Sequence, residues 1–351
     1  MNIFPEADLY TLIYDEKKVW KVFPAKSLTW VAKPTQRIYR LFRNQRFCLP
    51  FMPKAVESLD FSDYDYVIIS SSWFAHGAIT WKDTTSIVYY HSPARYLWDW
   101  TNEYKKDIWW SSWVKSLLLG RLFLKLRIWD IKASKRSDIS LANSNNTKAR
   151  VEKYFRKEAK LLYPPVETTR FSKAGLEKKS QERYYIILSA LTEFKRIEVA
   201  IAGFNEMIDT KLIIIWNGNY KSELENIVSS KNIEFVWAKY WDELVSLVQN
   251  SQGLIFPWEE DFWIVPIEVM AAGKPVFAYR WWGLLETVLE WKTWEFFNDK
   301  DWEDFVGSFK VFDENNKAWK YKAQACVKQA EKFSEVNFEK KIKSLLKLSN
   351  T

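Results

Sequence analysis

The sequence predicts an α/β protein of two domains, each a parallel sheet covered by helices. Three observations predict it. The chain has 351 residues, enough for two cores of ordinary size. Short apolar, β-rich runs alternate with amphipathic stretches through both halves. A stretch with two prolines, many charges and no period, residues 163–183, separates the halves.

In the first half, "YVIISS" (66–71), "SIVYY" (86–90), "DISLA" (138–142) and "KLLY" (160–163) read as buried strands. Asp63 and Asp65 of "DYD" lead into the first of these and read as turn residues rather than as a metal-binding Asp-x-Asp. In the second half, "YYIILSA" (184–190), "KLIIIW" (211–216), "IEFVW" (233–237), "GLIFP" (253–257) and "KPVFAY" (274–279) do the same. Strands that are continuously apolar belong to sheets covered on both faces. Between them lie helices such as 195–208, where Ile197, Ile201, Phe204 and Ile208 recur at three- and four-residue steps. The tail from about 318 to 348 reads as a long basic helical stretch. The expected division is 1–165, 166–325 and a closing helix, 326–351, that packs back towards the first domain.

Residues 104–136 contain 9 Lys and Arg against Asp107 and Asp130 alone, with leucines between them. A basic amphipathic helix lying on an anionic membrane has this pattern. A solvated helix packed on its own domain has it too. The net charge of +8 and pI of about 9.1 favour anionic partners without naming one. Cys48 and Cys326 are too far apart in sequence for metal-ligand spacing and form no disulfide framework, which fits a reducing compartment. The opening residues lack the charged start and apolar run of a signal peptide, and no run of about 18 apolar residues offers a membrane span.

The chain has 9 glycines and 21 tryptophans, where ordinary usage would give about 25 glycines. A Trp-rich carbohydrate binder with stacking platforms would share this composition. So would a chain in which one residue type has been written for the other.

Four elements could carry chemistry. Glu260 and Glu268 bracket the expected start of a helix, one carboxylate in the loop and one about two turns in. The free N–H groups between them suit an anion, so the pair fits a ligand with a phosphate centre and hydroxyls at both ends, although two glutamates so spaced are commonly surface charge. Lys195 follows the strand 184–190 and could hold a diphosphate. "IIIWNGNYKSEL" runs from a strand through Trp216 and Gly218 into a helix; with glycine at 216 it would be a Gly-x-Gly turn. His91, one of two histidines, directly follows a buried strand and is as well placed for a structural role as for a site.

Taken together, the runs "AVESLDFSDYDYVIISSS", "YYHSPARYLWD", "LANSNNTKARVEKYF", "YPPVETTRF", "LSALTEFKRIEVAIAGFNEM", "FPWEEDFWIVPIEVMAAGKPVFAY" and "GLLETVLE" resemble glycosyltransferase family 4, the retaining sugar-nucleotide-dependent transferases, and in particular a bacterial mannosyltransferase-like branch. They cover nearly the whole chain in order. The resemblance implies a GT-B fold, with two Rossmann-like domains facing each other across a cleft. It also implies that the family's first strand and acceptor-side loop are missing ahead of "MNIFPEADLY".

The resemblance further implies roles. Lys195 would neutralise the leaving diphosphate, Glu268 would hold the ribose and Glu260 the donor-sugar hydroxyls, and His91 would face the sugar from the other domain. Phe262, Trp263, Trp216, Gly218 and Trp237 would line the donor site. Many members carry an arginine where this chain has Ala190, which puts more weight on Lys195. The implied co-substrate is a nucleoside-diphosphate sugar, GDP-mannose first and UDP-hexoses second, with no metal and no further cofactor. The implied acceptor is lipid-linked or a growing polysaccharide. That places the protein in the cytoplasm, peripheral at the inner face of the plasma membrane, with an anionic surface as partner through 104–136 and no nucleic acid. A non-catalytic Trp-rich glycan-binding protein on the same scaffold, or a sugar-nucleotide epimerase, would be its rivals.

In that family the positions of Trp216, Trp237, Trp258, Trp263, Trp281, Trp282, Trp291 and Trp294 are usually glycine, whereas Trp98 and Trp129 fall where an aromatic is common. Some bacterial lineages read UGA as glycine, and translation with another table writes tryptophan. The resemblance therefore implies that many of these tryptophans are glycines in the cell. Trp109, Trp110, Trp113, Trp241 and Trp319 are left unassigned.

Overall fold

The computed structural model describes residues 3–19, 28–99, 113–173, 182–218, 220–237, 242–258, 264–280, 292–298 and 301–348. The chain divides into two compact units, residues 1–162 and 163–348. No described helix is long and apolar enough to cross a membrane.

The first unit begins with β1 (Tyr10–Thr11), α1 (Glu16–Val19), β2 (Trp30–Val31), α2 (Lys33–Phe42), a 3-10 segment Gln45–Phe51 and α3 (Met52–Glu57). Then follow β3 (Tyr66–Ser71), β4 (Thr85–Tyr90), α4 (Arg95–Trp98), α5 (Trp113–Ser134), β5 (Ile139–Ala142), α6 (Asn145–Phe155) and β6 (Lys160–Leu161). Strands β3-β4-β5-β6 make a parallel sheet in that order, and β1 pairs with β2 apart from it. The four runs read as strands from the sequence correspond to these four: β4 and β5 are buried along most of their length, as continuously apolar strands are, whereas β3 alternates, with Ile68 and Ser70 exposed. The two-residue strands β1 and β2 are too short to carry a period.

Among the described residues of this unit, two apolar clusters are buried. Val67, Ile69, Val88, Tyr90, Val151 and Phe155 pack one side of the sheet. Tyr39, Cys48, Leu49, Met52, Phe123 and Leu126 join α2 and the 3-10 segment to α5. A polar seam fixes α5: Trp98 Nε1 donates to Asp130 at 2.7 Å, Trp129 Nε1 donates to Glu57 at 2.8 Å, and Arg136 pairs with Glu57 at 2.6 Å. Both half-buried indoles thus place their one N–H on a carboxylate.

The second unit holds α7 (Thr168–Lys173), β7 (Tyr184–Ala190), α8 (Ile197–Glu206), β8 (Lys211–Asn217), α9 (Lys221–Glu225), β9 (Ile233–Trp237), α10 (Asp242–Asn250), β10 (Leu254–Phe256), α11 (Ile264–Ala271) and β11 (Val276–Tyr279). It closes with β12 (Trp294–Phe297), α12 (Trp302–Lys317), α13 (Ala323–Glu331) and α14 (Glu335–Leu348). The sheet is parallel with order β12-β11-β10-β7-β8-β9. Read from β9, its strands run third, second, first, fourth, fifth, sixth, so the order reverses between β7 and β10.

Three expectations need correction. Residues 163–183 are not linker throughout: α7 forms inside them because Phe171 is buried in the core. The helix read over 195–208 spans Ile197–Glu206; Ile208 has the right spacing but lies beyond the last turn and is exposed. The basic tail is two helices, α13 and α14, broken around Phe333, whose carbonyl accepts from Val166 N–H at 2.9 Å.

Candidate functional site

An open parallel sheet binds ligands outside the carboxyl ends of its strands, where the strand order reverses. In the second unit that point lies between β7 and β10. The chain leaving β7 turns through a 3-10 segment, Glu193–Lys195, into α8, and the chain leaving β10 reaches Trp258. These two segments meet: Lys195 Nζ lies 4.8 Å from the centroid of the Trp258 ring and 5.3 Å from that of Phe194. Lys195 is almost fully buried, so its ammonium is held over ring faces rather than in bulk water.

Beside β7, Trp216 of β8 stands in register between Ser189 of β7 and Trp237 of β9. Trp237 is exposed at the end of its strand. Gly218 follows β8 at φ 145°, and a Cβ there would lie 2.6 Å from the Leu191 carbonyl oxygen and 2.9 Å from its nitrogen. No side chain fits between these two backbones, so the β7 and β8 exits stay in direct contact. The Gly-x-Gly reading of this turn therefore has one glycine whose need is physical.

Glu268 lies on α11, which follows β10. Burial pushes its carboxyl up to about 7; Arg170 works against that rise and Glu167 adds to it. Both neighbours come from the segment around α7. Glu260, Phe262 and Trp263, like Trp281, Trp282 and Trp291, lie outside the described residues.

His91 sits in the first unit, directly after β4. Its N–H donates to the Ser71 carbonyl at 2.9 Å, and its own carbonyl accepts from Thr147 Oγ1 at 3.1 Å. Its Nε2 lies 2.8 Å from Ser70 Oγ, and Tyr89 meets its ring edge to face at 5.1 Å. Burial holds its pKa below the usual histidine value. The second histidine, His76, is buried 3.1 Å from Asp130 and contacts Ser71 within the core. It is part of the packing of α5.

The structure thus brings Lys195 to the strand-order reversal, with Trp216, Gly218 and Trp237 on the neighbouring strand ends and Glu268 on the helix after β10. Sequence reasoning missed Trp258 as the neighbour of Lys195, Arg170 as the cation facing Glu268, and Ser70 as the partner of His91. Only Ser70 left a trace, as one of the two serines that close an apolar strand. An open hollow lined by Tyr163, Gln329, Lys332, Phe333, Asn337 and Lys341 shares none of these residues.

Residues 168–333 match the family described as Glycosyl transferases group 1. An uncharacterized glycosyltransferase of Methanocaldococcus jannaschii is 27% identical over 181 residues, 50% of this chain and 48% of that one. The alpha-1,3/1,6-mannosyltransferase of Kluyveromyces lactis is 28% identical over 204 residues, 44% of this chain and 41% of that one. The matched region therefore spans about half the length of these relatives or less. Among solved structures, the sucrose-phosphate synthase of Thermosynechococcus elongatus superposes with a TM-score of 0.65 at 14% identity, covering 86% of this chain and 79% of that one. Anabaena HepE, in complex with UDP and glucose, gives 0.62 at 14% identity over 96% and 90%. The fold is GT-B, two Rossmann-like domains in one chain. The likeness to glycosyltransferases in sequence lies over residues 168–333, and the likeness to the solved structures is one of fold.

Proposed function

We propose that this GT-B chain is a retaining glycosyltransferase that moves a hexose, mannose first, from a nucleoside-diphosphate sugar to a hydroxyl of a lipid-linked or polysaccharide acceptor. The observation that carries the reading is Lys195, a buried cation where the sheet order reverses. In the transfer, the bond from the anomeric carbon to the diphosphate oxygen breaks, a bond to the acceptor oxygen forms, and the departing diphosphate takes the acceptor's proton. The charge that develops is on the diphosphate, and Lys195 is the residue we assign to it. We assign the nucleotide ribose to Glu268, the sugar hydroxyls to Glu260, and a role on the transferred sugar to His91. Phe262, Trp263, Trp216, Gly218 and Trp237 complete the donor-binding set.

The mannose assignment is supported by the mannosyltransferase relative at 28% identity, and a sugar-nucleotide donor by the UDP bound to HepE. An anionic membrane is the second partner, through 104–136. Along α5 and just past its end the exposed residues Arg121, Leu124, Lys125, Ile128, Lys132 and Lys135 form a row of cations with two aliphatic side chains among them, which supports it.

The glycine reading of the tryptophans belongs to the same proposal. One described residue outside the earlier set supports it. Trp319 has φ 57°, and α12 ends around it in a Schellman motif: Trp319 N–H donates to Asn316 O at 3.1 Å and Lys320 N–H to Asn315 O at 3.0 Å. That position is usually glycine, because a Cβ strains the left-handed conformation. We add Trp319 to the set. Trp258 and Trp294 weigh differently: both are fully buried, and Trp294 Nε1 lies 3.0 Å from Met270 Sδ.

The test is a transfer assay with GDP-mannose and UDP-glucose against a polyprenyl-linked acceptor, on protein made with glycine at the tryptophan positions assigned to glycine above. Transfer from GDP-mannose, lost about 100-fold or more in Lys195→Ala, is the expected result. Donor turnover that needs no acceptor and yields an epimer, or glycan binding without turnover, would overturn it.

A further inference from the structure

We propose that α2 and the 3-10 segment Gln45–Phe51 form a docking surface for an anionic lipid bilayer, separate from residues 104–136. The inference goes beyond sugar transfer and stands or falls independently of it.

Residues 33–56 contain Lys33, Arg37, Arg40, Arg43, Arg46 and Lys54 and not one acid. All six cations are exposed. Four large apolar side chains are exposed among them: Leu41 at 75%, Phe42 at 51%, Phe47 at 50% and Phe51 at 48%. Phe42 and Phe47 stack on each other with centroids 4.6 Å apart, so the helix end and the 3-10 segment present one apolar ridge. Single exposed apolar residues are ordinary, but a cluster rimmed by charge marks an interaction surface.

The opposite side of the same segment is anchored. Thr35 and Tyr39 of α2, with Cys48, Leu49 and Met52, are buried, and most of them pack in one cluster with Phe123 and Leu126 of α5. Tyr39 also donates to Asp15 at 2.7 Å. The ridge is therefore held outward by its own core and cannot turn inward to bury its phenylalanines.

Charge complementarity selects the partner. A segment that carries six exposed cations and no acid of its own calls for phosphates, and the four bulky apolar groups exposed along it call for a hydrocarbon layer beneath them. A bilayer with anionic headgroups offers both, and each cation near such a surface adds to binding. Nucleic acid would meet the cations but leave Leu41 and the ridge without an apolar partner.

The test is co-sedimentation of the full chain with vesicles of phosphatidylcholine containing about one third phosphatidylglycerol, and with pure phosphatidylcholine. Binding to the first and little to the second is expected. Arg37→Gln with Arg40→Gln on the exposed helix face, and separately Phe42→Ser with Phe47→Ser, should each weaken binding about tenfold or more, with unchanged melting curves. Calorimetry with GDP-mannose should be unaltered in both variants, so loss of donor binding in the parent chain would count against the proposed transfer and not against this surface. Vesicle binding retained by both variants, or lost only in Lys125→Gln with Lys132→Gln, would overturn the proposal. So would binding to a single-stranded RNA oligonucleotide without binding to vesicles.

Discussion

Ser70 Oγ and His91 Nε2 lie 2.8 Å apart at the carboxyl ends of two neighbouring parallel strands, β3 and β4. A neutral imidazole has one N–H and one lone pair, so whichever part Nε2 plays towards the hydroxyl, Nδ1 plays the other. Ser70 thereby occupies one ring nitrogen of His91 and ties the part Nδ1 plays to the orientation of its own hydroxyl. Removing a hydrogen bond of this kind typically costs about 1 kcal/mol, or roughly fivefold in rate. Ser70→Ala is expected to lower kcat by about that factor while leaving donor affinity unchanged, and steady-state kinetics against donor titration will check it. A fall in donor affinity with constant kcat would remove Ser70 from any role through His91.

Burial raises the Glu268 carboxyl to about 7, above the ordinary value of an unfolded chain, so between roughly pH 4.5 and 7 the folded protein binds the extra proton. Stability falls as pH rises through that window, by an amount on the order of 3 kcal/mol. Glu268→Gln should abolish this slope, which denaturant melts at pH 5 and pH 8 will read. Ribose hydroxyls would donate to the ionised form and lower its pKa. Donor binding should therefore release a proton near pH 6.5 and tighten as pH rises towards 8. Calorimetry in two buffers of different ionisation enthalpy measures that proton, and its absence would separate Glu268 from the ribose.

At Gly218 the φ of 145° and the Leu191 backbone 2.6 Å from a would-be Cβ leave no room for alanine. Gly218→Ala should cost about 3 kcal/mol or more through strain and the forced separation of the β7 and β8 exits. Thermal melts will show it, and a variant as stable as the parent would mean that the turn can open.

Trp319 is expected to respond with the opposite sign. Its left-handed φ of 57° costs a side-chain-bearing residue about 1 kcal/mol or slightly more, so Trp319→Gly should raise stability by roughly that amount. A destabilised variant would mark the tryptophan as native. Glycine masses in peptides from the natural source at 319 and 216 would give the same answer without mutagenesis.

Much of the architecture was legible in the chain. Nine strands could be read because short apolar, β-rich runs stand out between polar and amphipathic stretches, and that signal survives without knowing its neighbours. Lys195 could be singled out from its place after β7, and Gly218 from its place after β8. Ile208 shows the limit: its spacing continues the helical period, but the chain has already left α8, and only packing ends a helix there. Phe171 shows the converse, since a segment that reads as linker becomes helix once the core accepts one aromatic ring.

What the sequence by itself determined was composition, strand positions, the cationic segments and the shortage of glycine, all of which are local properties of the chain. The tertiary structure decided which strand ends are neighbours. The order β12-β11-β10-β7-β8-β9 brings Trp258 over Lys195 from a strand more than sixty residues further along, and the β3 and β4 register sets Ser70 against His91. Such pairs leave no mark in local spacing, because hydrogen bonding between parallel strands sets distances across the sheet that are independent of separation along the chain.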